Sequence, residues 1–171
     1  MSEKKNLKAE NGSQGSGMIR VLVVDGDPVW RNSIKRILEE DERIFVCGSA
    51  ANGKEAWKLC VREKPDVVLM DVQLPDTTGE IIIQIIKKAL PETGVVIFTD
   101  LKDRETVEAA IISGARSYIL KDADPEHLPD IIECYMAELY MFSDEGDCLA
   151  NRVNGNNLQY NLKGDEPLCH G

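Results

Sequence analysis

Five times in succession the chain passes from a short apolar segment into a longer amphipathic one, and no other feature narrows its fold as much. The apolar segments are Ile19–Asp25, Arg43–Ser49, Asp66–Asp71, Gly94–Thr99 and Arg116–Lys121. Most are continuous rather than alternating, as parallel strands covered on both faces should be. Between them, apolar residues recur at helical spacing. Trp30, Ile34, Ile37 and Leu38 form one stripe, and Val107, Ala110 and Ile111 another. Leu128, Ile131, Ile132, Tyr135, Met136 and Leu139 mark a last helix, and Asn52 with Glu55 reads as the capping pair of the second. Five strand–helix units predict an α/β fold, a (βα)5 flavodoxin-like doubly wound parallel sheet in the order 2-1-3-4-5. The handedness of crossovers leaves few alternatives.

The length of 171 residues suits one domain with tails. Residues 1–17, polar and ending in GSQGSG, read as a flexible leader, and 18–141 as the domain. Residues 142–171 form an acidic, Asn- and Gly-rich tail, expected to be poorly ordered, with Asn154-Gly155 as a hairpin-turn pair. The net charge of −10 argues against non-specific binding to a phosphate backbone. No run approaches the roughly 18 apolar residues that a membrane span needs, and the N-terminus carries no secretory h-region. The five cysteines, Cys47, Cys60, Cys134, Cys148 and Cys169, include no CxxC pair. Free thiols and a cytoplasmic location are therefore expected.

Four polar residues stand at the carboxyl ends of apolar strands: Asp25, Asp71, Thr99 and Lys121. In an open α/β sheet these ends converge on one crevice at the topological switch point. Each residue alone has an ordinary reading as a turn, a cap or a solvated charge, but four strand ends together point to a site. Neighbouring carboxylates invite a divalent cation such as Mg²⁺. A lysine and a hydroxyl beside them suit phosphoryl transfer, which depends on positioning and charge stabilisation.

In that order and spacing, VLVVDGDP, PDVVLMDVQLPDTTG, VVIFT and GARSYILKD resemble the receiver domain of two-component response regulators, from about Ile19 to Met141. The KDADPEHL ending is similar to the branch that carries LuxR-type DNA-binding domains, and no such domain follows here. The resemblance implies that Asp71 is the phosphoacceptor. Asp25, Asp71 and the backbone carbonyl of Gln73 would hold Mg²⁺, with Asp27 left open as a further donor. Thr99 and Lys121 would contact the phosphoryl group, and Tyr118 would be the aromatic switch that follows Thr99. The implied partners are a histidine kinase or phosphotransfer protein, and an output protein on the helix 4–strand 5–helix 5 face. A homodimer is left open; direct DNA binding and membrane association are not expected. The chain would act as a signalling protein, not as a metabolic enzyme.

Three departures from that pattern carry expectations of their own. Gly26 replaces the second acid, which should weaken Mg²⁺ binding. Asp27 before Pro28 reads more readily as a helix cap than as its substitute. Asp100 puts a carboxylate where the family prefers a small residue, and Pro129 should kink or delay the last helix. Ile81, Ile83 and Ile112 look exposed enough to mark contact surfaces. Two alternatives remain at this stage. One is a degenerate receiver that works as a phosphorylation-independent interaction module. The other is a haloacid-dehalogenase-type phosphatase, whose D-x-D-x-[TV] motif DGDPV satisfies, with Asp25 as nucleophile.

Overall fold

The computed structural model describes residues 17–141. The leader up to residue 16 and the tail from residue 142, with Asn154-Gly155, lie outside the described residues, as does the side chain of Leu139. Five strands alternate with five helices: β1 (Ile19–Val24), α1 (Pro28–Glu39), β2 (Ile44–Ala50), α2 (Gly53–Glu63), β3 (Val67–Met70), α3 (Gly79–Ala89), β4 (Gly94–Thr99), α4 (Arg104–Ile112), β5 (Ser117–Leu120) and α5 (Leu128–Met141). All strand pairs are parallel, in the order β2-β1-β3-β4-β5. This is the doubly wound, flavodoxin-like sheet that the repeated units predict.

The pleat sends successive side chains to opposite faces, so each central strand contributes to two cores. Leu22, Val24, Val68, Met70, Val95 and Ile97 pack against α2, α3 and α4. Val21, Val23, Val67, Leu69, Val96 and Phe98 pack against α1 and α5. Every residue of β3 and β4 is buried. The edge strand β2 is not: Phe45 is half-exposed, and a register shift between Val21 and Leu22 leaves Cys47 as the extra residue.

Helix ends follow local chemistry. The Asp27 carboxylate accepts from the Val29 N–H at 2.8 Å, with Pro28 at the first helical position of α1. Asn52 caps α2 through the Glu55 N–H at 2.9 Å, and Glu55 reaches back to the Ala51 N–H, one residue earlier than an ideal capping box. Gly114 has φ +116, a conformation that only glycine adopts without strain.

Several expectations need correction. Strand β2 starts and ends one residue later than the apolar run suggests. Asp25, Asp71 and Lys121 lie one residue beyond their strands, although the ladder still claims their N–H groups: Asp25 donates to Ala50, Asp71 to Val24 and Lys121 to Thr99. Pro129 does not kink α5. It is the second residue of the helix, where the missing N–H would have had no intrahelical partner, and a short 3₁₀ turn at Pro125–His127 leads in. Ile83 is fully buried on the core side of α3, whereas Ile81 and Ile112 are exposed.

Candidate functional site

The carboxyl ends of β1, β3, β4 and β5 open on one cleft, lined among others by Asp25, Asp71, Asp100 and Lys121. Asp25 and Asp71 each close the chain behind their strand in the same way. Asp25 Oδ1 accepts from the Asp27 N–H at 2.8 Å, and Asp71 Oδ1 from the Gln73 N–H at 3.0 Å. These turns, an aspartate bonded to the backbone two residues on, end each strand and aim its carboxylate along the sheet edge. Both residues are about one-twentieth exposed: 4% for Asp25 and 6% for Asp71.

A buried pair of carboxylates needs a cation, and Lys121 provides it. Its Nζ lies 2.7 Å from Asp25 Oδ2 and 2.7 Å from Asp71 Oδ2. Burial alone would lower the lysine pKa, but the two carboxylates outweigh that effect and hold it above its ordinary range. On the other side, Thr99 donates through Oγ1 to Asp71 Oδ1 at 2.7 Å. Each oxygen of Asp71 therefore faces a side-chain donor from a neighbouring strand. No buried side-chain polar atom among the described residues lacks a partner.

Tyr118 is 1% exposed, deeper than a half-buried sheet aromatic, and its hydroxyl donates to the Leu101 carbonyl at 2.7 Å. That bond ties β5 to the loop that follows Thr99. Asp100 is exposed on this loop at the cleft, and it does not cap α4; Asp103 does so through the Thr106 N–H. Lys102, from the same loop, pairs with Asp122 at 2.6 Å.

The oxygen donors available to a metal are Asp25, Asp71 and the Gln73 carbonyl. A Cβ placed on Gly26 would lie 3.8 Å from that carbonyl oxygen, so Gly26 and Gln73 face one another across the cleft. Among the described residues, no group of three or more His, Cys, Asp or Glu side chains is placed to hold a metal ion. Asp27 borders the cleft, but its carboxylate is used in capping α1.

Three residues here were not singled out in the sequence as site residues. Trp30, read as a core stripe, is only part-buried and lines the cleft. Arg31 donates to the Asp25 carbonyl at 2.6 Å, so it steadies the β1–α1 turn. Asp76 in the PDTTG segment accepts from the Gly53 and Lys54 N–H groups at 2.8 and 3.0 Å, which docks the loop after Asp71 onto the start of α2. Its carboxyl is held below the usual range by those two bonds. Only the clash a Cβ on Gly53 would make, 2.4 Å from Thr77 Cγ2, hints at so close an approach, and sequence alone does not reveal it.

Comparison with known proteins agrees with this geometry. The model of the response regulator receiver domain matches residues 21–133. The transcriptional regulatory protein YxjL of Bacillus subtilis is 39% identical over 114 residues, which is 67% of this chain and 52% of that protein. YhcZ of the same organism, an uncharacterised transcriptional regulatory protein, is 37% identical over 113 residues, 64% of this chain and 51% of its own length. The chain thus spans about half the length of these curated relatives. Among solved structures, a LuxR-family response regulator from Aurantimonas is 30% identical with a TM-score of 0.67, covering 71% of this chain and 87% of that one. A CheY-like receiver from Methanospirillum hungatei is 27% identical, also at 0.67, covering 72% and 98%. No helix of the described residues is long and apolar enough to cross a membrane. On its fold, its strand-end residues and the family match over residues 21–133, the chain belongs to the response regulator receiver domains of two-component signalling.

Proposed function

We propose that Asp71 accepts a phosphoryl group from a phosphohistidine on a histidine kinase or phosphotransfer protein. The observation that carries this reading is the setting of the Asp71 carboxylate. One oxygen faces the Lys121 ammonium at 2.7 Å and the other the Thr99 hydroxyl at 2.7 Å, at the floor of an open cleft. In the transfer, the bond from phosphorus to the histidine nitrogen breaks and a bond to an Asp71 oxygen forms. The imidazole leaves with its electron pair and is protonated from solvent. Lys121 and Thr99 are then placed to contact the oxygens of the incoming group.

The donor set fits Mg²⁺ in kind, since it consists of hard oxygens from Asp25, Asp71 and Gln73. Bound there, the ion would neutralise negative charge on the transferring group. With Gly26 contributing no carboxylate, fewer protein charges favour the ion, and weak binding follows. Asp27 is better assigned to the cap than to the metal, because its carboxylate already accepts from Val29.

The outcome is read by partners. Tyr118 and Thr99 lie on adjacent strands, and the Tyr118–Leu101 bond links the strand end to the β4–α4 loop. A change at Asp71 that draws on Thr99 biases the packing of α4, β5 and α5, where an output protein or a second copy of the chain would bind. The receiver residues act on protein and not on DNA in this reading. Whatever DNA binding the relatives' names imply is theirs as whole proteins, of which this chain spans about half. A cytoplasmic setting accords with a phosphohistidine donor.

A second reading is favoured by the lack, among the described residues, of a three-carboxylate metal group: a degenerate receiver that binds its partner without phosphate. The phosphatase reading loses its acid, since Asp27 caps α1. One assay separates all three. The protein is incubated with Mg²⁺ and acetyl phosphate, and its intact mass is measured. One phosphoryl adduct that disappears in Asp71→Asn is the expected result. No adduct at high Mg²⁺ favours the degenerate receiver, and an adduct that maps to Asp25 overturns both.

A further inference from the structure

Trp30 belongs to the apolar stripe of α1, yet it does not behave like Ile34 and Leu38, which are 1% and 0% exposed in the core. Its indole is part-buried and borders the cleft. The Lys121 Nζ stands over the ring, 5.4 Å from its centroid. The ring is seated in turn by Phe98, whose centroid is 5.8 Å away with the planes at 78°, an edge-to-face pair. Phe98 immediately precedes Thr99 and is 3% exposed. A single side chain from α1 therefore touches the strand that carries Thr99 and the cation that joins Asp25 to Asp71.

A lysine has four rotatable bonds and a point charge, so two carboxylates alone leave its stem free to pivot. An aromatic face on the third side removes that freedom and favours the charged form electrostatically. The contact is also asymmetric. When Asp71 takes up a phosphoryl group, the partners of Nζ change on the carboxylate side, while the indole stays fixed by Phe98.

We propose that Trp30 is a positioning residue of the phosphoryl-transfer site, which holds the Lys121 ammonium beside Asp71 from a seat on Phe98. The proposal rests on Asp71 being the acceptor only for its kinetic consequence; the contact itself does not depend on phosphate. Trp30→Leu keeps an apolar side chain but removes the π face, and Trp30→Phe restores a face.

The test has two independent arms. In the first, urea unfolding of the unphosphorylated protein is measured for wild type, Trp30→Leu, Lys121→Met and the double variant. A coupling of about two- to fivefold in the unfolding constant is expected from a partly buried cation–π contact. Additive effects overturn the proposal, because a tryptophan that merely fills space would not sense the loss of the lysine charge. In the second, Asp71 labelling by acetyl phosphate is timed at saturating Mg²⁺. Trp30→Leu should slow it about three- to tenfold, and Trp30→Phe should recover most of the rate. Coupling without slowing, or slowing that phenylalanine does not relieve, shows that the contact does not position Lys121 and overturns the proposal. If the wild type takes no label while the coupling is present, the acceptor reading fails and the Trp30–Lys121 contact stands.

Discussion

Replacing Gly26 by aspartate tests the electrostatic account of the site from both sides. The backbone tolerates the change, since Gly26 is not among the residues with positive φ. A Cβ there meets Pro75 Cδ at 3.4 Å, and the Ala51 and Gln73 carbonyl oxygens at 3.8 Å, all ordinary contacts. The new carboxylate would face the Gln73 carbonyl, on the side of the cleft where the donors for a metal converge. Taking about 6 Å to a divalent ion and a water-like dielectric at this exposed position, one carboxylate adds about 1.4 kcal/mol, or about tenfold in affinity. Without metal the same charge repels Asp25 and Asp71 and is attracted by Lys121, a net penalty of about 0.7 kcal/mol by the same estimate. The assay is a Mg²⁺ titration of Asp71 labelling by intact mass, paired with urea unfolding in EDTA. Gly26→Asp should lower the Mg²⁺ midpoint about tenfold and lower stability in EDTA. An unchanged midpoint refutes the claim that the missing acid limits metal binding. A gain in stability without metal refutes the claim that Lys121 alone balances the pair.

Other perturbations separate structural from functional carboxylates. Asp27→Ala removes the cap of α1 and should cost about 1 kcal/mol in urea unfolding, with no change in the Mg²⁺ midpoint. Asp100→Ala removes an exposed negative charge from the cleft and should speed labelling by acetyl phosphate about threefold at low salt; the gain should shrink as salt screens the loop, and a salt-independent gain would point to sterics instead. Arg43 pairs with Asp41 at 2.6 Å and Asp130 at 2.7 Å, and with Glu133, so it joins the α1–β2 turn to α5. Its side-chain hydrogen bonds hold Asp41 down to about 2. Because the folded value is depressed, this contribution is complete above the ordinary carboxylate value of about 4 and is lost as pH falls toward 2. The stability difference between wild type and Arg43→Ala, at most about 1 kcal/mol for so exposed a cluster, should therefore be constant from pH 5 to pH 7 by urea unfolding and shrink in acid.

The fold was legible because its cause is repetitive. Strands buried on two faces must be apolar throughout, and β3 and β4 are. Legibility fell where one face is open: on β2 only Ile44 and Ala50 are buried, and a bulge shifts the register opposite Val21 and Leu22. The four strand-end residues were legible because the topology leaves them one place to meet, and they do meet. Their contacts were not, because the reach of a lysine across a sheet edge is a property of packing. Trp30 shows the limit most clearly. At helical spacing it cannot be told from Ile34, since periodicity reports which side of a helix a residue occupies and not how near the end of the sheet it lies. Ile83 fails for a related reason: in a run of three isoleucines, Ile81 to Ile83, only the phase of α3 decides which face solvent, and two of them are buried.

The resting site explains why Gly26 is compatible with a well-packed receiver. A site with three acids and one lysine would carry two uncompensated negative charges until a metal arrived. Here Asp25 and Asp71 share the Lys121 ammonium at equal distances of 2.7 Å, which leaves one. Removing an acid therefore relieves the metal-free protein, and its cost appears only when a divalent ion must be recruited. The two consequences have opposite signs, so stability in EDTA and Mg²⁺ affinity should move in opposite directions whenever charge is added beside this pair. A purely structural role for Asp25, Asp71 and Lys121 predicts the first effect without the second. That difference, read in one variant, tells a receiver with a weakened metal site from a fold that has only kept the shape of one.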